Sequence, residues 1–104
     1  MSLRPPSGFS GASAPEVFFD ALDHEILAEK ASALGRAGAR AESALARLRA
    51  HRGGQAERRT LLAETADAVY AWFIQRELCG FRRHDSVIRE FAIPKEVLMR
   101  LGAR

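Results

Sequence analysis

Proline, cysteine and long apolar runs are all scarce in this chain, and each shortage removes a class of protein. Cys79 is the only cysteine, so no intrachain disulfide can form and a reducing compartment is expected. No stretch reaches the roughly 18 apolar residues that a bilayer span requires. The first ten residues have one arginine and no apolar core, which argues against a secretory signal and for a cytoplasmic protein. No proline follows Pro15 until well past residue 50. A Gly-x-Ser-x-Gly elbow is missing, and no glycine-rich phosphate loop follows a strand, because no strand pattern exists. Enzymatic function therefore has no support in the sequence.

What remains is small and helical. With 104 residues there is room for one domain, expected over 13–104 behind a disordered tail at 1–12 rich in Ser, Gly and Pro. Hydrophobic residues make up 47% and charged ones 28%, a globular balance. The net charge of +3 is too small to imply a polyanionic partner.

Residues 15–50 read as one long helix. Ser13 and Glu16 form a capping box with Pro15 in the first turn. Acidic residues fill the first half and arginines the second, which suits the helix dipole. Leu27, Ala31, Leu34, Gly38, Ala41, Leu45 and Leu48 alternate by four and three, a coiled-coil seam. Gly35 and Gly38 each cost about 1 kcal/mol in a helix, so close approach of another backbone is expected there. Phe18, Phe19, Leu22 and Ile26 form a second strip near the start.

Gly53-Gly54 marks a tight turn into a second helix, from about 57 to 79. Facing residues should then pair Leu45 with Leu62, Ala41 with Ala66, Gly38 with Val69 and Leu34 with Phe73. Residues 69–74 are apolar on every side, so the C-terminal segment or a second chain must cover them. Gly80 ends this helix in a Schellman arrangement. Two short helices follow, 86–91 capped by Asp85 and 94–101 opened by Pro94. Since the second helix is shorter than the first, Phe91, Ile93, Leu98 and Leu101 are expected to cover the strip from Phe18 to Ile26. A Phe18→Ala change would then cost several kcal/mol.

Five constellations could carry function. Asp20 and His24 share a face at i,i+4, and His84 with Asp85 could approach them to hold a metal ion. The set is short of ligands, and a surface Asp–His ion pair is the expected arrangement, with no cofactor. Arg47, Arg49, Arg52, Arg58 and Arg59 make the hairpin tip basic, a candidate anion-binding or nucleic-acid surface. The C-terminal helix pair has helix–turn–helix spacing, but Val97 and Met99 would fall where bases are read. Arg76 continues an apolar seam and should pair with Glu29 or Glu25, most simply as a buried Arg76–Glu29 ion pair. Val69, Tyr70, Trp72, Phe73 and Ile74 form the candidate interaction surface, on which a homodimer or another protein partner would dock.

The blocks Glu29-Lys-Ala-Ser-Ala-Leu-Gly-Arg-Ala-Gly38, Gln75-Arg-Glu-Leu-Cys-Gly80 and Ile93-Pro-Lys-Glu-Val97 resemble a family of short bacterial all-helical proteins of unknown function. That resemblance implies no activity, cofactor or catalytic residue. The expectation is an all-α protein: a long antiparallel helical hairpin with two short C-terminal helices packed back on it. Its expected role is oligomerisation or protein interaction, with nucleic-acid binding and metal binding as the alternatives.

Overall fold

The computed structural model describes residues 14–103. The predicted capping box at Ser13 and the tail at 1–12 lie outside them. Helix α1 spans Ala14–Ala50 with 37 residues, and α2 spans Gln55–Leu78 with 24. Two short helices follow, α3 at Asp85–Glu90 and α4 at Lys95–Leu98. The described residues contain no strand. The fold is all-α, a long helix hairpin with short helices packed on it.

Residues 51–54 make the hairpin turn. His51 Nε2 lies 3.2 Å from the Gly54 carbonyl, and Arg52 donates to the carbonyls of Arg49 and His51 at 3.2 and 3.0 Å. The first of these Arg52 bonds occupies a backbone acceptor, the Arg49 carbonyl, that the end of α1 leaves free.

Below the turn, Ala41, Ala44, Leu45 and Leu48 are buried against Leu62, Ala66, Val69 and Phe73. Thr65 is fully buried and its Oγ1 lies within bonding distance of two carbonyls, Leu61 at 2.7 Å and Ala44 at 3.3 Å. It ties α2 to α1 while leaving no buried side-chain polar atom unpaired among the described residues.

Gly38 faces α2, as expected. A Cβ added at Gly38 would sit 3.2 Å from Trp72 Nε1, so the glycine meets the indole ring. The indole is too wide to pass a side chain there, which is the physical reason for glycine. Gly35 has nothing within 4 Å of its would-be Cβ, so the close approach expected at Gly35 is absent among the described residues.

The C-terminal helices correct the expectation most sharply. Val87, Ile93 and Val97 are buried in the hairpin core. Phe91 meets the edge of Trp72 at 5.1 Å, its carbonyl accepts from Arg49, and Glu96 pairs with Arg58 near the turn. These helices therefore cover the half of the hairpin that α2 already occupies. The strip they were expected to cover stays open: Phe18 is 61% exposed, Phe19 62%, Leu22 37% and Ile26 52%.

The short helices also differ at their ends. The α3 helix begins at Asp85 itself, with His84 as N-cap and no side-chain cap bond. The α4 helix ends at Leu98, not 101. Its continuation tightens into three-residue turns, Arg100 N to Val97 O at 3.0 Å and Ala103 N to Arg100 O at 3.0 Å.

Candidate functional site

The end of α2 is built by a Schellman motif. Gly80 adopts φ +97°, Phe81 N donates to Arg76 O at 2.9 Å, and Gly80 N donates to Glu77 O at 3.0 Å. Glycine is favoured because that left-handed backbone crowds a Cβ. The turn folds the chain back and drops His84 onto α2. Its ring stacks on Phe73 with centroids 4.2 Å apart and planes 6° from parallel.

Both nitrogens of His84 are engaged. Arg76 Nε donates to Nδ1 at 3.1 Å, so the ring proton belongs on Nε2, which lies 2.9 Å from Glu77 Oε2. Arg76 also donates to the Arg83 carbonyl at 3.0 Å and sits 4.9 Å above the Phe81 ring. The expected Arg76–Glu29 pair does not form, because the returning chain reaches Arg76 first. Glu29 pairs instead with Arg36 at 3.4 Å on the exposed side of α1.

This geometry separates the metal candidates. His84 is tied to Arg76 and Glu77, and Asp85 to Arg83 at 3.3 Å. Asp20 and His24 lie on the exposed first half of α1. The Asp20–His24 ion pair expected on the helix surface is not formed, although the two sit one turn apart. Among the described residues no three His, Cys, Asp or Glu side chains converge to hold an ion.

The tip arginines are mostly spent on the fold. Arg47 pairs with Glu64 at 3.4 Å, Arg49 holds the Phe91 carbonyl, Arg52 closes the turn, and Arg58 pairs with Glu96. Arg59 has no such partner among the described residues. The cluster looked like a free basic patch in the sequence because the acceptors of Arg47, Arg58 and Arg49 lie 17, 38 and 42 residues away.

The candidate interaction surface also changes. Val69, Trp72 and Phe73 are buried within the chain, while Tyr70 and Ile74 remain partly open. Tyr70 lies against Gly102, where an added Cβ would be 3.3 Å from its ring. Of the two covers that residues 69–74 required, the C-terminal segment supplies one without a second chain.

The unpartnered apolar surface lies elsewhere. Cys79 Sγ donates to the Lys30 carbonyl at 3.7 Å, which fixes where α2 ends along α1. Every residue of α1 from 18 to 32 is exposed. The segment 14–29 projects past α2 for about 24 Å at 1.5 Å per residue. Where it leaves the hairpin, Leu27, Leu34, Leu78 and Phe81 line an open cleft of about 240 Å³ with Cys79 at its wall. Periodicity did reveal the strip from Phe18 to Ile26; what it could not reveal was that none of the described residues covers it.

A model described as a family of unknown function (DUF6665) matches residues 1–104. The chain belongs to that family. No curated protein and no solved structure matches it. No helix among the described residues is long and apolar enough to cross a membrane.

Proposed function

We propose that this chain is a non-enzymatic oligomerisation and protein-interaction module that works through the projecting end of α1. One observation carries the reading: a helical segment of four turns is exposed throughout, yet presents Phe18, Phe19, Leu22 and Ile26 to solvent. A helix isolated in water at this length is marginal, and an apolar strip of this size on a small domain marks a docking surface. The rest of the molecule is a closed hairpin that holds the segment out. A single free thiol, Cys79, suits a reducing compartment, and we place the protein in the cytoplasm.

Sedimentation of the full chain from low to high micromolar concentration tests this. A concentration-dependent dimer is expected, reduced to monomer by Phe18→Ser with Ile26→Ser. A strict monomer throughout, with no partner on co-purification from its native cell, would sink the reading.

Nucleic-acid binding is the weaker alternative. Four of the five tip arginines already bind carboxylates or carbonyls, so phosphate would have to displace those contacts. Titration against mixed duplex DNA and RNA should show at most weak binding that salt abolishes.

A further inference from the structure

We infer that the projecting segment of α1 receives a basic amphipathic helix of another protein. Its apolar face lies on Phe18, Leu22 and Ile26, and its Lys or Arg side chains meet Asp23 and Glu25. The inference rests on the interaction reading above and names the chemistry of the partner. Three observations carry it.

The first is the charge along the edges of the strip. With about 100° between successive residues, Phe18 and Ile26 fall within about 40° of Leu22, and Phe19 lies about 60° to one side. Asp23 borders the strip on that side and Glu25 borders it on the other. Asp20 at the back and Glu29 at the end of the strip are carboxylates too, and from 18 to 29 the chain has no Lys or Arg. Glu29 is paired with Arg36, whereas Asp23 and Glu25 have no bonding partner among the described residues. An exposed apolar strip with carboxylates along both edges is complementary to an apolar strip edged with cations.

The second is where these carboxylates sit along α1. The helix dipole favours acidic residues in the first turn and fades beyond it. Asp23 and Glu25 stand well past the first turn of a helix that starts at Ala14, so the dipole does not account for them. Nor do they hold the fold, since no described residue bonds them. The whole chain carries +3, so this stretch is a local reversal of charge that steers a cationic partner to the segment.

The third is the form of the surface. The segment is helical throughout, so its backbone groups are spent within α1 and no strand can add to it. A second helix laid along the ridge of residues spaced by four is the packing left. The exposed Phe18 and Phe19 rings, edge to face at 5.9 Å, offer their faces to a Lys or Arg as well as to apolar groups. A second copy of this segment is the weaker occupant, because from 18 to 29 it sets carboxylates against carboxylates. The same carboxylates turn away nucleic acid and anionic membranes.

Two fluorescently labelled peptides of about 18 residues, roughly five helical turns, test this against the full chain. Both place Leu at the same helical spacing; one fills the other positions with Lys and the other with Glu. In anisotropy titrations at low salt the Leu/Lys peptide should bind about tenfold or more tightly than the Leu/Glu peptide, and added salt should narrow the gap. Asp23→Asn with Glu25→Gln should weaken Leu/Lys binding severalfold. Phe18→Ser with Ile26→Ser should weaken it by about tenfold or more, as loss of an apolar anchor does. All four positions are exposed, so helical circular dichroism and the melting transition of both variants should match wild type. Equal binding of the two peptides would overturn the charge-matched partner and leave the interaction reading standing. Leu/Lys binding unmoved by Phe18→Ser with Ile26→Ser would be general attraction to carboxylates, and would overturn the inference as well. If neither peptide binds, this partner is overturned, and sedimentation then separates the two readings: a dimer keeps the interaction reading and a strict monomer counts against both.

Discussion

Leu45 and Leu27 occupy equivalent steps of one seam on one helix, yet Leu45 is 1% exposed and Leu27 63%. The seam itself does not change between them; its cover does. From Leu45 toward the turn, α2 lies alongside and α3 and α4 close the remaining side. At Leu27 the second helix has just ended beside Lys30. Hydrophobic spacing thus states which face of a helix is apolar, while the lengths of the other elements decide whether that face is filled from within the chain. The tip half of α1 packs into the hairpin core, and the projecting half is exposed.

The two leucines give the largest contrast. Leu45→Ala should destabilise the hairpin by about 3 kcal/mol, through lost burial and the cavity left between α1 and α2. Leu27→Ala should stay within about 0.5 kcal/mol, as an exposed truncation does. Chemical denaturation at a concentration where the chain is monomeric measures both. A large effect at Leu27 would mean that the first half of α1 is packed in solution, and the division drawn above would fail.

The His84 latch belongs to the stable half and is the next test. His84→Ala removes the stack on Phe73 and leaves Arg76 Nε without its acceptor, so a loss of about 1–2 kcal/mol is expected. His84→Phe keeps the stack and loses the bonds, and should fall between wild type and alanine. If both variants match wild type, the return of the chain at Gly80 is not fixed by this ring.

The sequence made the hairpin legible because its signals are local. A proline-free run, the Gly53-Gly54 break and the Gly80 stop are each read within a few residues, and the helices lie within a few positions of where these signals put them. The packing of α3 and α4 was not legible in the same way. It depends on Trp72 needing an edge partner in Phe91, and on Arg49 and Arg58 reaching residues 42 and 38 positions away. One signal could have helped: a Schellman turn reverses the chain direction, and only four residues separate Gly80 from Asp85. That favours a return along α2 over a crossing to Phe18. Arg76 does bond, but to His84 and the Arg83 carbonyl, since the carboxylates expected from helix spacing are not the nearest groups in space. Thr65 carries such a signal too, since a lone hydroxyl among Leu62, Ala66 and Val69 must find a carbonyl.

The two glycines sharpen the comparison within a single turn of helix. Gly35→Ala meets no neighbour and gains helix propensity, so it should stabilise the monomer by about 0.5–1 kcal/mol. Gly38→Ala gains the same propensity but presses Trp72, which is held between the helices and by Phe91. That variant should be no more stable than wild type. A shift of about 4 °C or more in Tm for Gly35→Ala alone is the expected thermal signature. Equal gains from both would show that Trp72 has room to move and that its packing does not set the register.

The smallest effect concerns Ala92, which follows α3 in a left-handed conformation with φ +48°. Ala92 N donates to Arg89 O at 3.2 Å and Ile93 N to Ile88 O at 3.0 Å, the same Schellman pair that Gly80 makes after α2. The chain thus ends two helices alike, with glycine at one left-handed position and alanine at the other. Alanine is strained there by about 1 kcal/mol, and glycine would relieve it while adding freedom to the unfolded chain. The strain is tolerated because the turn points Ile93 into the core, where it is buried with Val97. Ala92→Gly should therefore stabilise the fold by a few tenths of a kcal/mol. Gly80→Ala should destabilise it by about 1 kcal/mol, although the added methyl would meet nothing within 4 Å. Opposite signs at these two equivalent positions would confirm that backbone conformation alone decides them. A loss of stability in Ala92→Gly would show instead that the alanine methyl supports the turn that brings α4 onto α2.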